Sequence, residues 1–152
     1  MRRILASGGI VMGLALLAVT GCASMDGGAP KERSLYSRLG GRDGIAIVVD
    51  DFVVNAVADP RIGPAFKALQ PAQVFRLKSN IADFVCDATG GPCAYLGRSM
   101  KESHKGLGLM KEDVAACNTA LARALDKRGV AAADKAQVMK VVEGLMPDLV
   151  GQ

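Results

Sequence analysis

PAQVFRLKSNIADFVCDATGGP, residues 71–92, is the stretch that decides the fold. Pro71 suits the first turn of a helix, where its missing N–H has no helical partner to lose. From there Val74, Leu77, Ile81, Phe84, Val85 and Ala88 recur every three or four residues and line one helical face. Thr89-Gly90-Gly91-Pro92 then stops the helix. The stretch predicts an amphipathic helix over 71–88 whose apolar stripe needs cover.

The same period recurs on both sides. Ile45, Val48, Val49, Phe52, Val53 and Ala56 follow the i, i+3, i+4, i+7 pattern, with Asp43 as the predicted cap and Asp59-Pro60 as the stop. The β-branched run from Ile45 to Val49 also permits a strand, but the Asp50-Asp51 break and the spacing through Val57 favour a helix. Ser34 is the predicted cap of a short first helix ending at Gly40-Gly41, a corner suited to residues without a Cβ. Val114, Cys117, Leu121, Ala124 and Leu125 mark a helix over 111–128. Val138, Val141, Val142, Leu145 and Leu149 mark another over 131–149, with Arg128-Gly129 as the C-cap between the two. Residues 92–110 read as irregular, carrying Gly97, Gly106 and Gly108, with one helical turn near Ser99 to His104. No internal repeat is visible. The expected fold class is all-α.

The N-terminus reads differently. Met1-Arg2-Arg3 is positive, Ile10 to Val19 is apolar apart from Gly13, and small residues precede Cys22. This is the layout of a secretory signal, and the apolar run is too short to span a bilayer. Val19-Thr20-Gly21-Cys22 resembles a bacterial lipobox. The expected organisation is a signal peptide over 1–21, a flexible tether over 22–33 starting at a lipidated Cys22, and one domain over 34–152. A lipid on Cys22 would hold the domain at a membrane surface. Ala23 after the cysteine points to an exported lipoprotein on the outer membrane, facing the periplasm, in a Gram-negative host. The alternative is an ordinary signal peptide with an incidental cysteine.

Composition excludes several classes. Half of the 152 residues are hydrophobic, which rules out a disordered chain. The net charge of +4 comes from interleaved acids and bases, so no nucleic-acid partner is expected. Only 4% of residues are aromatic and none is Trp, so few aromatic donors are available. A single histidine excludes any multi-histidine metal site.

One histidine is still enough for haem, because the porphyrin supplies the other four nitrogens. His104 lies in Met100-Lys101-Glu102-Ser103-His104-Lys105-Gly106-Leu107-Gly108-Leu109. Read in isolation, a histidine beside lysines in a Gly-rich stretch is an ordinary surface residue. Its context changes that. The segments Ser34-Leu35-Tyr36-Ser37-Arg38-Leu39-Gly40-Gly41, Val49-Asp50-Asp51-Phe52 and Ala58-Asp59-Pro60-Arg61 occur in order. They are followed by Ala88-Thr89-Gly90-Gly91-Pro92, Tyr95-Leu96-Gly97-Arg98 and the segment around His104. In order and spacing the chain resembles a group 1 truncated haemoglobin.

That resemblance implies a two-over-two helical sandwich holding haem b, with His104 as proximal iron ligand. It places Phe52, Val53, Leu77, Lys78, Ile81, Val85, Met100 and Lys101 around the cofactor. Many members carry a Tyr where Val53 stands, and often a Gln where Ile81 stands. Here Val53, Leu77, Ile81 and Val85 make an apolar distal wall. A distal hydrogen bond to O2 is worth on the order of 1–2 kcal/mol, and about 1.4 kcal/mol is tenfold in affinity. Fast O2 release and little discrimination between O2, CO and NO are therefore expected. Lys78 could swing inward as a donor, and Lys78 or Lys101 could reach a haem propionate; otherwise both are surface lysines. Tyr36 and Tyr95 read as packing residues.

Cys86 and Cys93 flank the Gly-Gly-Pro turn. They could bridge in an oxidising compartment or remain reduced, and a Cys86–Cys117 pairing also fits the spacing. The expected function is a haem-binding globin that reversibly binds diatomic gases at a membrane surface. Alternatives are a haem-based redox, electron-transfer or NO-detoxifying protein working with a reductant, and a globin-fold lipoprotein without haem. No enzymatic reaction is assigned.

Overall fold

The computed structural model describes residues 33–152. The expected signal peptide, Cys22 and all of the expected tether except Arg33 lie outside the described residues. The described chain forms eight helices and no strand: α1 (Leu35–Arg38), α2 (Gly41–Ala58), α3 (Gly63–Lys67), α4 (Pro71–Ala88), α5 (Met100–His104), α6 (Lys111–Lys127), α7 (Ala132–Glu143) and α8 (Met146–Leu149). None of these helices is long and apolar enough to cross a membrane.

Two of the expected boundaries move. Asp43 is not the cap of α2; the helix starts at Gly41, with Gly40 left-handed at φ 87° and Asp43 inside the first turn. A side chain is excluded at this corner: a Cβ on Gly44 would sit 2.1 Å from the Leu39 carbonyl oxygen. Asp43 still favours the helix, as a negative charge near the positive end of its dipole. The helix expected over 131–149 is broken into α7 and α8. Pro147 is the cause, because it cannot donate to the carbonyl of Glu143 and its ring collides with that group. The short α3 went unforeseen, since five residues are too few to show a period.

The other signals act as read. The Ser34 hydroxyl accepts from the Ser37 N–H. Pro71 opens α4, and the Gln73 side chain accepts from the Gln70 N–H at 2.8 Å. Thr89 ends the helix, its hydroxyl donating to the Val85 carbonyl at 2.6 Å.

The core explains how the helices stack. Ile45, Val48 and Val49 of α2 meet Ala82 and Cys86 of α4, Leu121, Ala124 and Leu125 of α6, and Val138 of α7. Thus α2 packs on both α4 and α6, and α6 packs on α7. A second cluster joins Ala56, Ile62 and Ala120, with Phe52 and Phe66 edge-to-face beside it at 6.1 Å. The Asn55 amide donates to the Ala120 carbonyl at 3.0 Å and fixes the α2–α6 crossing. This is the expected two-over-two arrangement.

One buried charge ties the same crossing. Asp51 accepts from Lys127 Nζ at 2.7 Å and from Arg128 Nε. The Lys127 hydrogen bond holds its carboxyl below the ordinary value; burial opposes this, and the bond from Arg128 reinforces it. A depressed folded-state pKa gives stability that is present above the unfolded value, about 3.9, and is lost as pH falls through the folded one. Asp51→Asn should therefore lower Tm near neutrality. The gap to the parent chain should close as the pH is taken below the carboxylate range. Melting curves across that range check it, and a gap independent of pH would show that charge is not the cause.

Candidate site around His104

His104 closes α5, a helix of only five residues. Its start is strongly specified: the Ser99 hydroxyl accepts from the Glu102 N–H at 3.2 Å, and the Glu102 carboxylate accepts from the Ser99 N–H at 3.1 Å. The Ser99 hydroxyl also donates to Glu102, the main reason the Glu102 carboxyl is held below its ordinary value. Such a reciprocal cap lets one helical turn persist after an irregular run.

The imidazole is aimed by the backbone. His104 Nδ1 lies 2.8 Å from the Met100 carbonyl oxygen. A carbonyl can only accept, so Nδ1 carries the proton. The lone pair of the neutral ring is then on Nε2, the nitrogen left to bind a metal. His104 is half-buried. The loop behind it is also held: the Leu107 N–H donates to the His104 carbonyl, Gly108 N–H to Gln152, and Gly151 N–H to Leu109. Helix α5 itself rests on α8.

The apolar stripe of α4 is the surface that the family resemblance sets beside the cofactor. The buried residues of α4 are Ala82 and Cys86, which join the core with α2. Val74, Leu77, Ile81, Phe84 and Val85 are all only half-buried, so protein alone does not cover the stripe. Phe52 is half-buried and Val53 buried. After α5, Leu107 and Met110 are 60% and 54% exposed. A flat apolar group with a metal centre fits this donor set: uncovered aliphatic surface, one imidazole with a free Nε2, and no cluster of His, Cys, Asp or Glu that could hold a bare ion among the described residues. Leu77, Ile81 and Val85 bring no side-chain donor to that surface, whereas Val53 is covered by protein and is not part of it.

The lysines divide. Lys78 Nζ lies 2.9 Å from Asp50 Oδ1, which pairs its ammonium with α2. Lys101 is exposed and in no ion pair among the described residues. Met100 is half-buried, and its carbonyl orients the histidine. Tyr36 and Tyr95 pack as expected and also bond. The Tyr36 hydroxyl accepts from the Arg42 N–H at 3.0 Å. Tyr95 stacks edge-on against Phe84 at 5.5 Å and donates to the Arg98 carbonyl.

Cys86 pairs with Cys93, which decides among the alternatives left by spacing. Cys117 is free and half-buried, and burial pushes its thiol up to about 11. Two surface cavities lie away from His104. One is lined by Arg42, Asp83, Cys93, Tyr95 and Leu96 among others, the other by Leu35, Ala88, Thr89, Gln137, Lys140 and Val141.

A sequence model of the bacterial-like globin family matches residues 34–150. The chain belongs to the bacterial-like globins. Among curated relatives it is similar to the group 1 truncated hemoglobin of Mycolicibacterium paratuberculosis, at 30% identity over 116 residues, 76% of this chain and 83% of that one. It is equally similar to the group 1 truncated hemoglobin of Tetrahymena pyriformis, at 30% over 122 residues, 80% of this chain and 98% of that one. The crystal structure of the Tetrahymena protein in its Fe(III) form superposes with a TM-score of 0.73, covering 79% of this chain and all of that one. The 2/2 hemoglobin of Synechococcus, solved with covalently attached heme, is 26% identical with a TM-score of 0.70, again over 79% of this chain and all of that one. This globin is therefore a group 1 truncated haemoglobin in fold and family.

Two contributors to the site escaped the sequence reading. The Met100 carbonyl orients His104 through its backbone, and the signal was the four-residue spacing on one helical turn. Asp50 captures Lys78, and here the signal was a carboxylate at a similar depth on the helix predicted to precede it.

Proposed function

We propose that this globin binds haem b through His104 Nε2 and reversibly takes up diatomic gases (O2, NO, CO) in an apolar distal pocket, held at a membrane surface by a lipid on Cys22. The observation that carries the haem reading is the bond from His104 Nδ1 to the Met100 carbonyl, which fixes the tautomer a metal requires. When bound, haem supplies a redox-active iron that takes diatomic gases as ligands. The chain's own part is to orient one imidazole, to cover a flat apolar group with the α4 stripe, and to keep polar side chains off the distal face. Absorption spectra in the ferric, ferrous and CO-bound states test this directly. Absence of a Soret band after haem is added would overturn it.

The apolar wall predicts fast O2 release. Leu77→Gln places an amide donor on the same stripe. One hydrogen bond worth about 1.4 kcal/mol should slow O2 release about tenfold, with a much smaller change for CO. Stopped-flow ligand displacement measures both rates. An already slow release in the parent chain would mean that a donor other than these residues is present.

The membrane reading rests on the positive start, the short apolar run and the residues before Cys22. A Cys86–Cys93 disulfide suits an exported, oxidising compartment. Mass analysis of the mature N-terminus should find a lipid-modified Cys22, and Cys22→Ser should move the globin to the soluble fraction. An unmodified Cys22 in the membrane-free fraction would refute the anchor.

A further inference from the structure

We propose that the Cys86–Cys93 disulfide is a thiol–disulfide exchange site, entered at Cys93 by a protein dithiol. The two sulfurs are unequal. Cys86 is wholly buried in the core, at 0% exposure. Cys93 is half-buried and lines a surface cavity of about 370 Å³ together with Arg42, Asn80, Asp83, Tyr95, Leu96 and others. An incoming thiolate therefore reaches Cys93 Sγ and not Cys86 Sγ. Leu96, 92% exposed on the same cavity, offers apolar contact to a protein partner.

The cavity also carries charge. Arg42 Nη1 lies 3.7 Å from Cys93 Sγ and donates to the Asp83 carboxylate as well. A guanidinium beside sulfur favours the thiolate. Asp83 neutralises part of that charge but holds the guanidinium in place.

The exchange runs in two steps. The reductant's first thiolate attacks Cys93 Sγ, a mixed disulfide forms, and the bond to Cys86 breaks. The electron pair leaves on Cys86 Sγ, which takes up the proton the attacking thiol released. The reductant's second thiol, deprotonated, then attacks its own sulfur in the mixed disulfide. Cys93 leaves as a thiolate beside Arg42 and is protonated from solvent. The protein disulfide gains two electrons, and the dithiol becomes a disulfide.

The body is built to survive this. Besides the disulfide, the Gly91 N–H donates to the Cys86 carbonyl, the Tyr95 N–H to Asp87 Oδ2, and the Tyr36 N–H to the Thr89 carbonyl. What loosens is the covalent tie between the end of α4, which carries the apolar stripe, and the segment that leads to His104. Reduction is thus expected to change the mobility of residues 93–99 without unfolding the globin.

The test uses the full chain in its oxidised form. Glutathione, a monothiol, lacks the fast intramolecular second step, so limiting glutathione with an acid quench traps the mixed disulfide, and peptide mass mapping locates the adduct. The adduct is expected on Cys93, with Cys86 alkylated only after denaturation. With dithiothreitol the reaction should go to completion while far-ultraviolet dichroism stays helical, and starting from the Cys93–glutathione adduct Arg42→Met should slow release of Cys93 by about threefold or more. Hydrogen exchange should rise over 93–99 and not in α2 or α6. An adduct on Cys86, an equal rate in Arg42→Met, or a disulfide that resists dithiothreitol until the chain is unfolded would each overturn the proposal. These readouts do not require haem, so their failure is separable from failure of the haem reading.

Discussion

His104→Ala is expected to give a folded globin that has lost histidine-ligated haem altogether. The chain contains no other histidine, so no neighbouring imidazole can substitute. The fold should tolerate the change. Helix α5 is started by the Ser99–Glu102 pair, which does not involve the imidazole, and Ala is the best helix former. The bond from Nδ1 to the Met100 carbonyl is lost, but a bond of that kind is worth only about 0.5–1.5 kcal/mol. The spectral change should therefore be large and the change in Tm small. Absorption spectra of the haem-supplemented variant in the ferric and ferrous states check the first, and thermal melts the second. Added imidazole, small enough to occupy the space left by the side chain, should restore a nitrogen-ligated spectrum. A spectrum unchanged from the parent would refute His104 as the ligand.

The lone imidazole also shows how much of the site was legible in the sequence. Its residue type and its place on one helical turn after an irregular run were readable; the Ser99-x-x-Glu102 pair that starts the turn went unread, although such a pair announces a helix start however short the helix. What was not readable was its tautomer, since that depends on which carbonyl the ring meets in space. The long helices were legible for a related reason. Pro71, Thr89 and Gly129 act locally, and the apolar stripes repeat often enough to define a face. The break at Pro147 was overridden by a stripe that continues through Leu145 and Leu149, although the missing N–H was in plain view. Asp43 looked like a cap, but Gly40 and Gly41 can take positive φ, and so the helix begins three residues earlier, with Gly40 in the cap position. The apolar stripe of α4 was legible as composition. Whether Lys78 belonged to it was not, because its partner Asp50 sits 28 positions away on another helix.

Leu125→Ala is expected to be among the most destabilising single truncations in the core. Leu125 is 2% exposed and is among the largest fully buried side chains. It sits in the cluster where α2, α4, α6 and α7 meet, beside Ile45, Val49, Cys86 and Val138. Its neighbours cannot easily collapse into the gap. Ala124 on the same helix is wholly buried, the Asn55–Ala120 bond pins α6 against α2, and the disulfide pins Cys86. The cost combines lost transfer free energy with an unfilled cavity, about 2–5 kcal/mol for a Leu to Ala change. A domain of this kind is stable by only about 5–15 kcal/mol, so the loss is a large share of the total. At roughly 3–5 °C per kcal/mol for this size, Tm should fall by about 6–25 °C. Leu96→Ala is the matched control, being the same truncation at a side chain 92% exposed, and should stay within about 0.5 kcal/mol. Equal melting of the two variants would mean that the α2–α6 crossing does not carry the fold. The damage should also reach the haem site through packing alone, because Leu125 supports the helices that present Phe52 and the α4 stripe. Haem loss from Leu125→Ala should accordingly be faster than from the parent chain while the ligated spectrum stays the same, the opposite pairing to that of His104→Ala.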